Sequence, residues 1–182
     1  MGLIIDKDFI FDQDIVDKRL EQYVRTVKDH LSNGDKPHDR RYKQGYFVPR
    51  CPAKWINIME TDEPQVIIWR SSWEKRFCEW CDSNTAIYRC GSEIVKILYK
   101  NPITNKQSFY TPDFYVELLD NTKAIQKYLI EIKPRKEAAL ETSGNGYDKL
   151  MVAKNAMKWK SAIEFCKKRG ITFKVLTENE LF

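Results

Sequence analysis

An α/β (α+β) fold, with a central mixed β-sheet flanked by helices and a helical extension at its N-terminus, is what this sequence predicts. Three observations carry the expectation. Apolar residues recur at helical spacing over residues 12–31 and again along 147–169. Between these stretches lie three short runs rich in β-branched and aromatic residues, Ile94–Tyr99, Ser108–Leu118 and Lys127–Lys133. A last apolar run, Ile171–Leu176, follows the second long helix. The order helix, three strands, helix, strand gives a mixed sheet covered by helices.

The chain has 182 residues, of which 42% are hydrophobic and 13% aromatic, enough for one globular core with an appended segment. We divide it into residues 1–65, an N-terminal helix with an irregular basic and aromatic segment, and residues 66–182, the core. No apolar run approaches the roughly 20 residues of a membrane span. Asp6 stands where a myristoylation site needs serine or threonine. The expectation is therefore a cytoplasmic protein with no membrane partner, its five cysteines reduced. Lysine and arginine outnumber aspartate and glutamate by 31 to 26, a charge of +5 that is compatible with a polyanionic partner without identifying one.

The first helix is drawn by Ile15, Val16, Leu20, Tyr23, Val24, Val27 and Leu31 and stops at Ser32-Asn33-Gly34. From Asp35 to Glu63 the chain is polar, basic and punctuated by proline. Arg40, Arg41, Lys43, Arg50 and Lys54 alternate there with Tyr42, Tyr46, Phe47 and Trp55, which predicts an irregular segment anchored by its aromatics. A second helix is predicted over Ser71–Asp82, capped by Ser71 or Ser72, with Trp69, Trp73, Phe77 and Trp80 as one core-facing stripe. The turns Asn101-Pro102-Ile103-Thr104-Asn105 and Asp120-Asn121 divide the three strand runs into an antiparallel meander. After a loop containing Gly144-Asn145-Gly146, the long helix runs from about Tyr147 to Arg169 and ends at Gly170.

Two short motifs fall inside the predicted strands. Pro112-Asp113 is the only Pro-Asp in the chain, and Glu131-Ile132-Lys133 the only acidic-x-Lys. Side chains alternate across a strand, so Glu131 and Lys133 share one face while Ile130 and Ile132 take the other. Asp113 shares a face with Thr111 and Tyr115. If the strands pair with their apolar faces toward one core, Asp113, Glu131 and Lys133 converge on the opposite side. A sheet interior tolerates such charges only when they are paired or hold a metal. Phosphodiester cleavage needs this set: hard oxygen ligands suit Mg²⁺, and the ion polarises a phosphoryl oxygen and lowers the pKa of water. A lysine two residues from a ligand stands beside that water. The competing reading is an exposed hairpin with an ordinary Glu-Lys neighbour pair. Glu74, at the edge of the tryptophan stripe, is placed either to reach the same site or to pair with Lys75 or Arg70 on a solvated face.

Glu74 on a leading helix, then Pro112-Asp113, Glu131-Ile132-Lys133, a helix and the closing Phe173-Lys174-Val175-Leu176-Thr177-Glu178 resemble the PD-(D/E)XK nuclease superfamily, and within it the TnsA-type transposon endonucleases. The resemblance covers residues 66–182. It implies a restriction-endonuclease-like core acting on double-stranded DNA with Mg²⁺, for which Mn²⁺ substitutes, and with no nucleotide cofactor. It implies Asp113, Glu131 and the Ile132 backbone carbonyl as metal ligands, Lys133 as the catalytic lysine, and Glu74 as supporting acid and further ligand. Gln44-Gly45-Tyr46-Phe47-Val48-Pro49, Lys54-Trp55, Trp69-Arg70-Ser71-Ser72-Trp73-Glu74, Ser92-Glu93-Ile94-Val95 and Tyr110-Thr111-Pro112-Asp113-Phe114 are similar to the head-completion nucleases of T-even-type tailed phages. That narrower likeness implies action on packaged genome ends as the capsid is finished, with portal or neck proteins as partners, in the host cytoplasm or the virion. The alternatives are a non-catalytic DNA-end or portal-binding virion protein that keeps the nuclease fold, and an endonuclease subunit of a transposition or restriction system.

Arg135 and Lys136, just past the catalytic strand, are placed to hold the DNA backbone near the scissile phosphate. Lys154 and Lys158 on the long helix either contact phosphates or lie on a solvated face. Lys167, Lys168 and Arg169 read as cations favoured at a helix C-terminus. Cys78, Cys81 and Cys90 lack a second close pair of ligands, which disfavours a structural zinc and favours cysteines packed as small hydrophobes. His30 and His38 have no nucleophile motif beside them, which disfavours a histidine-dependent hydrolase.

Overall fold

The computed structural model describes residues 12–33, 44–139 and 146–181. Arg40, Arg41, Tyr42 and Lys43 of the basic segment, and the turn residues Gly34, Gly144 and Asn145, lie outside the described residues.

Helix α1 (Gln13–Ser32) starts at Asp12, whose carboxylate accepts the N–H groups of Asp14 and Ile15. It buries Val16, Tyr23 and Val27, while Ile15 and Leu31 at the margins of the expected stripe are exposed. Two side chains stitch α1 to the segment that follows. The Arg19 guanidinium donates to the carbonyls of Ile58, Thr61 and Asp62. The buried Tyr23 hydroxyl donates to the Phe47 carbonyl and accepts the Ile67 N–H.

The stretch expected to be irregular contains strand β1 (Gly45–Tyr46), a 3₁₀ turn (Pro52–Lys54) and helix α2 (Ile56–Met59). β1 pairs antiparallel with β2 (Ile68–Trp69), and a Cβ at Gly45 would lie 2.6 Å from the Trp69 indole, so the close approach requires glycine. Trp55 and Ile58 are fully buried. The turn around Trp55 is organised by Asp82, whose buried carboxylate accepts the Arg50 N–H at 2.8 Å, the Cys51 N–H at 3.1 Å and the Trp55 indole N–H at 3.1 Å.

Helix α3 (Ser72–Ser83) is capped by Ser71, as its sequence predicts. Its buried face is Phe77, Cys78, Cys81 and Asp82, and Trp80 is 43% exposed. Trp80 thus lies off the core-facing stripe while Trp73 packs at its margin, and the small cysteines let the helix approach the sheet.

The remaining strands are β3 (Ile87–Ser92), β4 (Ile97–Lys100), β5 (Gln107–Tyr110), β6 (Phe114–Leu119), β7 (Ile125–Ile132) and β8 (Thr172–Leu176). The main sheet has the order β3-β6-β7-β8, antiparallel except for the parallel β7–β8 pair. This is the mixed sheet flanked by helices that the sequence predicts, with the meander corrected. The partner of β6 is Ile87–Ser92, a run that Arg89 and Gly91 disguise, whereas Ile97–Lys100 pairs with β5 in a separate hairpin. The predicted strand 108–118 splits at Thr111-Pro112-Asp113, where proline offers no N–H for a ladder. Strand β8 is a half-buried edge rather than a buried strand.

Helices α4 (Arg135–Ala138), α5 (Gly146–Lys167) and α6 (Glu178–Leu181) complete the fold, and α5 gives way to Gly170 at φ +66°. Both faces of the sheet are covered. On one, Phe114, Val116, Ile130 and Ile132 meet Tyr23, Trp55 and Phe77. On the other, Tyr115 and Leu129 meet Ile97, Tyr110 and Trp159.

One polar contact ties α2 to the end of β3. The buried Asn57 side chain donates to the Ser92 carbonyl and accepts the Ser92 N–H, each at 2.8 Å. Asn57→Ala leaves both backbone groups unmatched in the interior, and we expect a loss of about 3 kcal/mol, read as a lower urea midpoint with an unchanged slope.

Candidate active site

The register of β6 and β7 builds the site. Phe114 pairs with Ile130, so Asp113, one residue before, and Glu131, one residue after, lie across from each other at the strand ends. Asp113 sits just outside β6 and Lys133 just outside β7, rather than within the strands as their sequence suggests. The site is therefore not on an open sheet face. It lies at the end of the sheet, where the second core stops.

Three contacts fix the trio. The Asp113 Oδ2 accepts the Ile132 N–H at 2.7 Å. The Glu131 Oε1 lies 3.4 Å from the Lys133 ammonium, and its Oε2 accepts the Tyr110 hydroxyl at 2.7 Å. Glu131 is buried, and Tyr110 with it. Burial, then the neighbouring Glu131 charge, hold the Asp113 carboxyl well above the ordinary aspartate range; the Ile132 N–H and Lys133 only partly offset them. Burial pulls the Lys133 amine down, but Glu131 and Asp113 outweigh it and hold the amine above its usual value.

The contrast with Glu117, on the same face of β6, is informative. That buried carboxylate takes two hydrogen bonds from the Arg89 guanidinium, at 3.2 and 2.9 Å, and one from the Tyr115 hydroxyl at 2.6 Å. The fold neutralises Glu117 with a geometry of its own. At Asp113 and Glu131 one nearby ammonium, Lys133, forms an ion pair with Glu131 and reaches Asp113 only through its charge. Such a donor set, hard and short of positive charge, fits a divalent cation. No three His, Cys, Asp or Glu side chains among the described residues converge closely enough to hold an ion alone. A cation here would rest on two carboxylates completed by backbone oxygen or water, the habit of Mg²⁺.

The matching family model is that of the TnsA-like endonuclease N-terminal domain, over residues 84–178. The chain belongs to this family. It is also 34% identical, over 147 residues, to the head completion nuclease of Enterobacteria phage T4, an alignment covering 75% of this chain and 92% of that relative. The family region of this TnsA-like chain contains Asp113, Glu131 and Lys133 and runs through β8; Glu74, on α3, precedes it.

Glu74 is at the N3 position of α3 and works in its cap. Its Oε2 accepts the Arg70 N–H at 2.7 Å and its Oε1 the Ser71 hydroxyl at 3.0 Å, while its own N–H goes to Ser71 Oγ. Its charge still reaches Asp113, and burial raises its own pKa. The partner of Arg70 is Glu93, and that of Lys75 is Glu79 at 3.6 Å, so neither cation forms an ion pair with Glu74.

Glu93 is a participant that the sequence reading did not place. It takes a left-handed φ of +55°, its N–H donates to the Asp113 carbonyl at 3.0 Å, and its side chain pairs with Arg70. The chain Asn57, Ser92, Glu93, Asp113 thus runs from α2 to the site. Tyr110 was not foreseen either, since nothing in a lone tyrosine marks the carboxylate it will meet. Of the basic residues, Lys158 Nζ lies 5.2 Å from the centre of the Tyr110 ring, close enough to feel Glu131, Lys133 and Asp113; burial pulls its pKa down. Lys154 acts on Lys158 through its charge. Arg135 and Lys136 are exposed on α4, where the Arg135 N–H is held by Glu178 at 2.8 Å.

A carboxyl whose folded pKa is raised binds more protons in the native than in the unfolded chain. Native stability then falls as pH rises from the ordinary aspartate range through the folded value. In EDTA, Asp113→Asn should raise the melting temperature at neutral pH, and the gain should shrink to nothing as pH falls below the ordinary aspartate range. An unchanged difference across that window would contradict the assigned burial of charge.

Proposed function

We propose that this protein is a Mg²⁺-dependent DNA endonuclease that hydrolyses phosphodiester bonds in double-stranded DNA, with Mn²⁺ able to replace Mg²⁺. The observation carrying this reading is the pairing of half-buried Asp113 with buried Glu131 at the end of β6 and β7, with Lys133 3.4 Å from Glu131. Asp113, Glu131 and the Ile132 carbonyl would hold the ion, and Glu74 would support the site from α3. When bound, the ion polarises a phosphoryl oxygen and lowers the pKa of water.

The chain's own residues do the rest. The Ile132 N–H and the Tyr110 hydroxyl each take one carboxylate oxygen, Oδ2 of Asp113 and Oε2 of Glu131, and so set where the remaining oxygens point. Lys133, kept as an ammonium by its two carboxylate neighbours, donates to the attacking water and stabilises negative charge developing on phosphorus. Water adds to phosphorus, the bridging P–O bond breaks, and the proton lost by water ends on the leaving oxygen. Arg135, Lys136, Lys154 and Lys158 hold the DNA backbone on either side of the site.

The relative is named as a head completion nuclease of phage T4, and 92% of its length is matched. That name supports a setting in phage head completion; packaged genome ends as substrate, portal or neck proteins as partners, and a location in the host cytoplasm or the virion are the rest of our proposal.

Lys133→Ala and Asp113→Ala should each lower Mg²⁺-dependent nicking of plasmid DNA by at least about 10²-fold while leaving the circular dichroism spectrum unchanged, and EDTA should stop the wild type. Cutting at wild-type rates by both variants would overturn the assignment. Metal-free DNA binding with no cleavage in Mg²⁺ or Mn²⁺ would point instead to a structural DNA-end protein.

A further inference from the structure

The β4–β5 hairpin is amphipathic, and its outer face has no partner among the described residues. Inward, Ile97, Tyr99 and Tyr110 are buried in the second core. Outward, Leu98 and Phe109 are cross-strand partners and remain 53% and 70% exposed. A directly paired leucine and phenylalanine left in water on a two-stranded ribbon is not required by folding, because the inner face alone anchors the hairpin to α5.

The charge around this pair is of one sign. Lys96, just before β4, and Lys100, at its end, flank Leu98, and both are exposed. Lys106, at the start of β5, is exposed as well. There is no aspartate or glutamate anywhere from Ile94 to Pro112. The stretch therefore carries no negative side chain to oppose its lysines. Its combination with an exposed aromatic is the composition of a surface that holds phosphates with lysines and stacks a base on a ring.

The hairpin is also continuous with the active site. Tyr110 follows Phe109 and donates its hydroxyl to Glu131, and Asp113 comes three residues later. From Phe109 to Asp113 the chain spans at most about 14 Å when extended, or about four nucleotides of one strand at 3.4 Å per step. Phe109 faces away from Tyr110 across β5, so a strand on the outer face would round the hairpin to reach the site within this short span.

We propose that the outer face of the β4–β5 hairpin is a DNA-binding surface on which Phe109, backed by Leu98, stacks an unpaired or end-frayed base, while Lys96 and Lys100 hold the adjoining phosphates. It rests on the reading of the protein as a DNA endonuclease and adds to it a substrate shape. The site prefers DNA with unstacked bases within a few nucleotides of the cut, such as ends, flaps or junctions, over continuous duplex.

The test is fluorescence anisotropy on labelled oligonucleotides in EDTA, so that binding is read apart from cleavage. Blunt duplex is compared with duplex carrying a single-stranded overhang. Wild type should bind the overhang DNA more tightly. Phe109→Ser should weaken overhang binding about tenfold and leave blunt-duplex binding nearly unchanged, and an overhang 2-aminopurine should lose its stacking-dependent quenching. Lys96→Glu with Lys100→Glu should weaken both DNAs and lower the salt slope by about two. All three side chains are exposed, so melting temperatures should stay at the wild-type value. Equal affinity of wild type and both variants for both DNAs would overturn the proposal and leave the face to a protein partner. That result would not touch the nuclease reading, which stands or falls on the Lys133→Ala and Asp113→Ala nicking assay.

Discussion

The pairing of Phe114 with Ile130 sets two carboxylates against each other, because each strand carries an acid one residue beyond that pair, toward the same end of the sheet. A slip of one residue would send Asp113 or Glu131 to the opposite face, among Phe77 and Trp55. The register is held by apolar side chains on both faces at once: Phe114 and Ile130 on one, Tyr115 and Leu129 on the other. A doubly covered sheet cannot slip without burying a charge, so packing far from the chemistry decides its geometry. The same double cover leaves the site at the strand ends.

Holding two like charges together has a cost, and the surrounding contacts are arranged to bear it. The Ile132 N–H, the Tyr110 hydroxyl and Lys133 each offset part of it. Asp113 is fixed from its backbone side as well, by Glu93, whose strained φ is held by its Arg70 pairing and by the Asn57–Ser92 hydrogen bonds one residue earlier. That line leads back through α2 to Arg19 of α1, which caps the carbonyls of Ile58, Thr61 and Asp62. The N-terminal helix thus supports, at three removes, the strand end that presents Asp113. A carboxylate pair left short of positive charge destabilises the fold that holds it together.

How far this was legible in the sequence depended on the range of the interactions. The limits of α1 and α3 could be read because caps and helical spacing are local: Asp12 and Ser71 do what their residue types predict. The trio could be read because strand alternation is also local, and because Pro-Asp and Glu-x-Lys occur once each. What failed was pairing. Nothing within Ile94–Tyr99 distinguishes a strand that joins β6 from one that folds back on β5. Ile87–Ser92 lacks the alternation of a half-exposed strand because Cys90, Gly91 and Ser92 are all buried. Trp80 misled for a related reason: a stripe of large residues marks the core only when the opposing surface is concave enough to receive them. Here the sheet takes Cys78 and Cys81 instead. Tyr110, Glu93 and Asp82 act across 18 residues or more of sequence, on partners that only the folded chain brings near.

The two buried acids of β6 and β7 that sequence alone would rank alike, Glu117 and Glu131, show how the fold separates structure from chemistry. Both are buried, both lie on the same face, and each accepts a tyrosine hydroxyl. Glu117 meets a planar guanidinium that satisfies both oxygens, and such a pair has no further capacity for a ligand. Glu131 meets a single ammonium at 3.4 Å and a second carboxylate across the strand gap. An arginine in place of Lys133 would close the site by the same fork geometry that closes Glu117. The lysine is a point charge that engages one oxygen alone, and that difference in donor geometry separates an acid that acts as a strut from one that forms a candidate site.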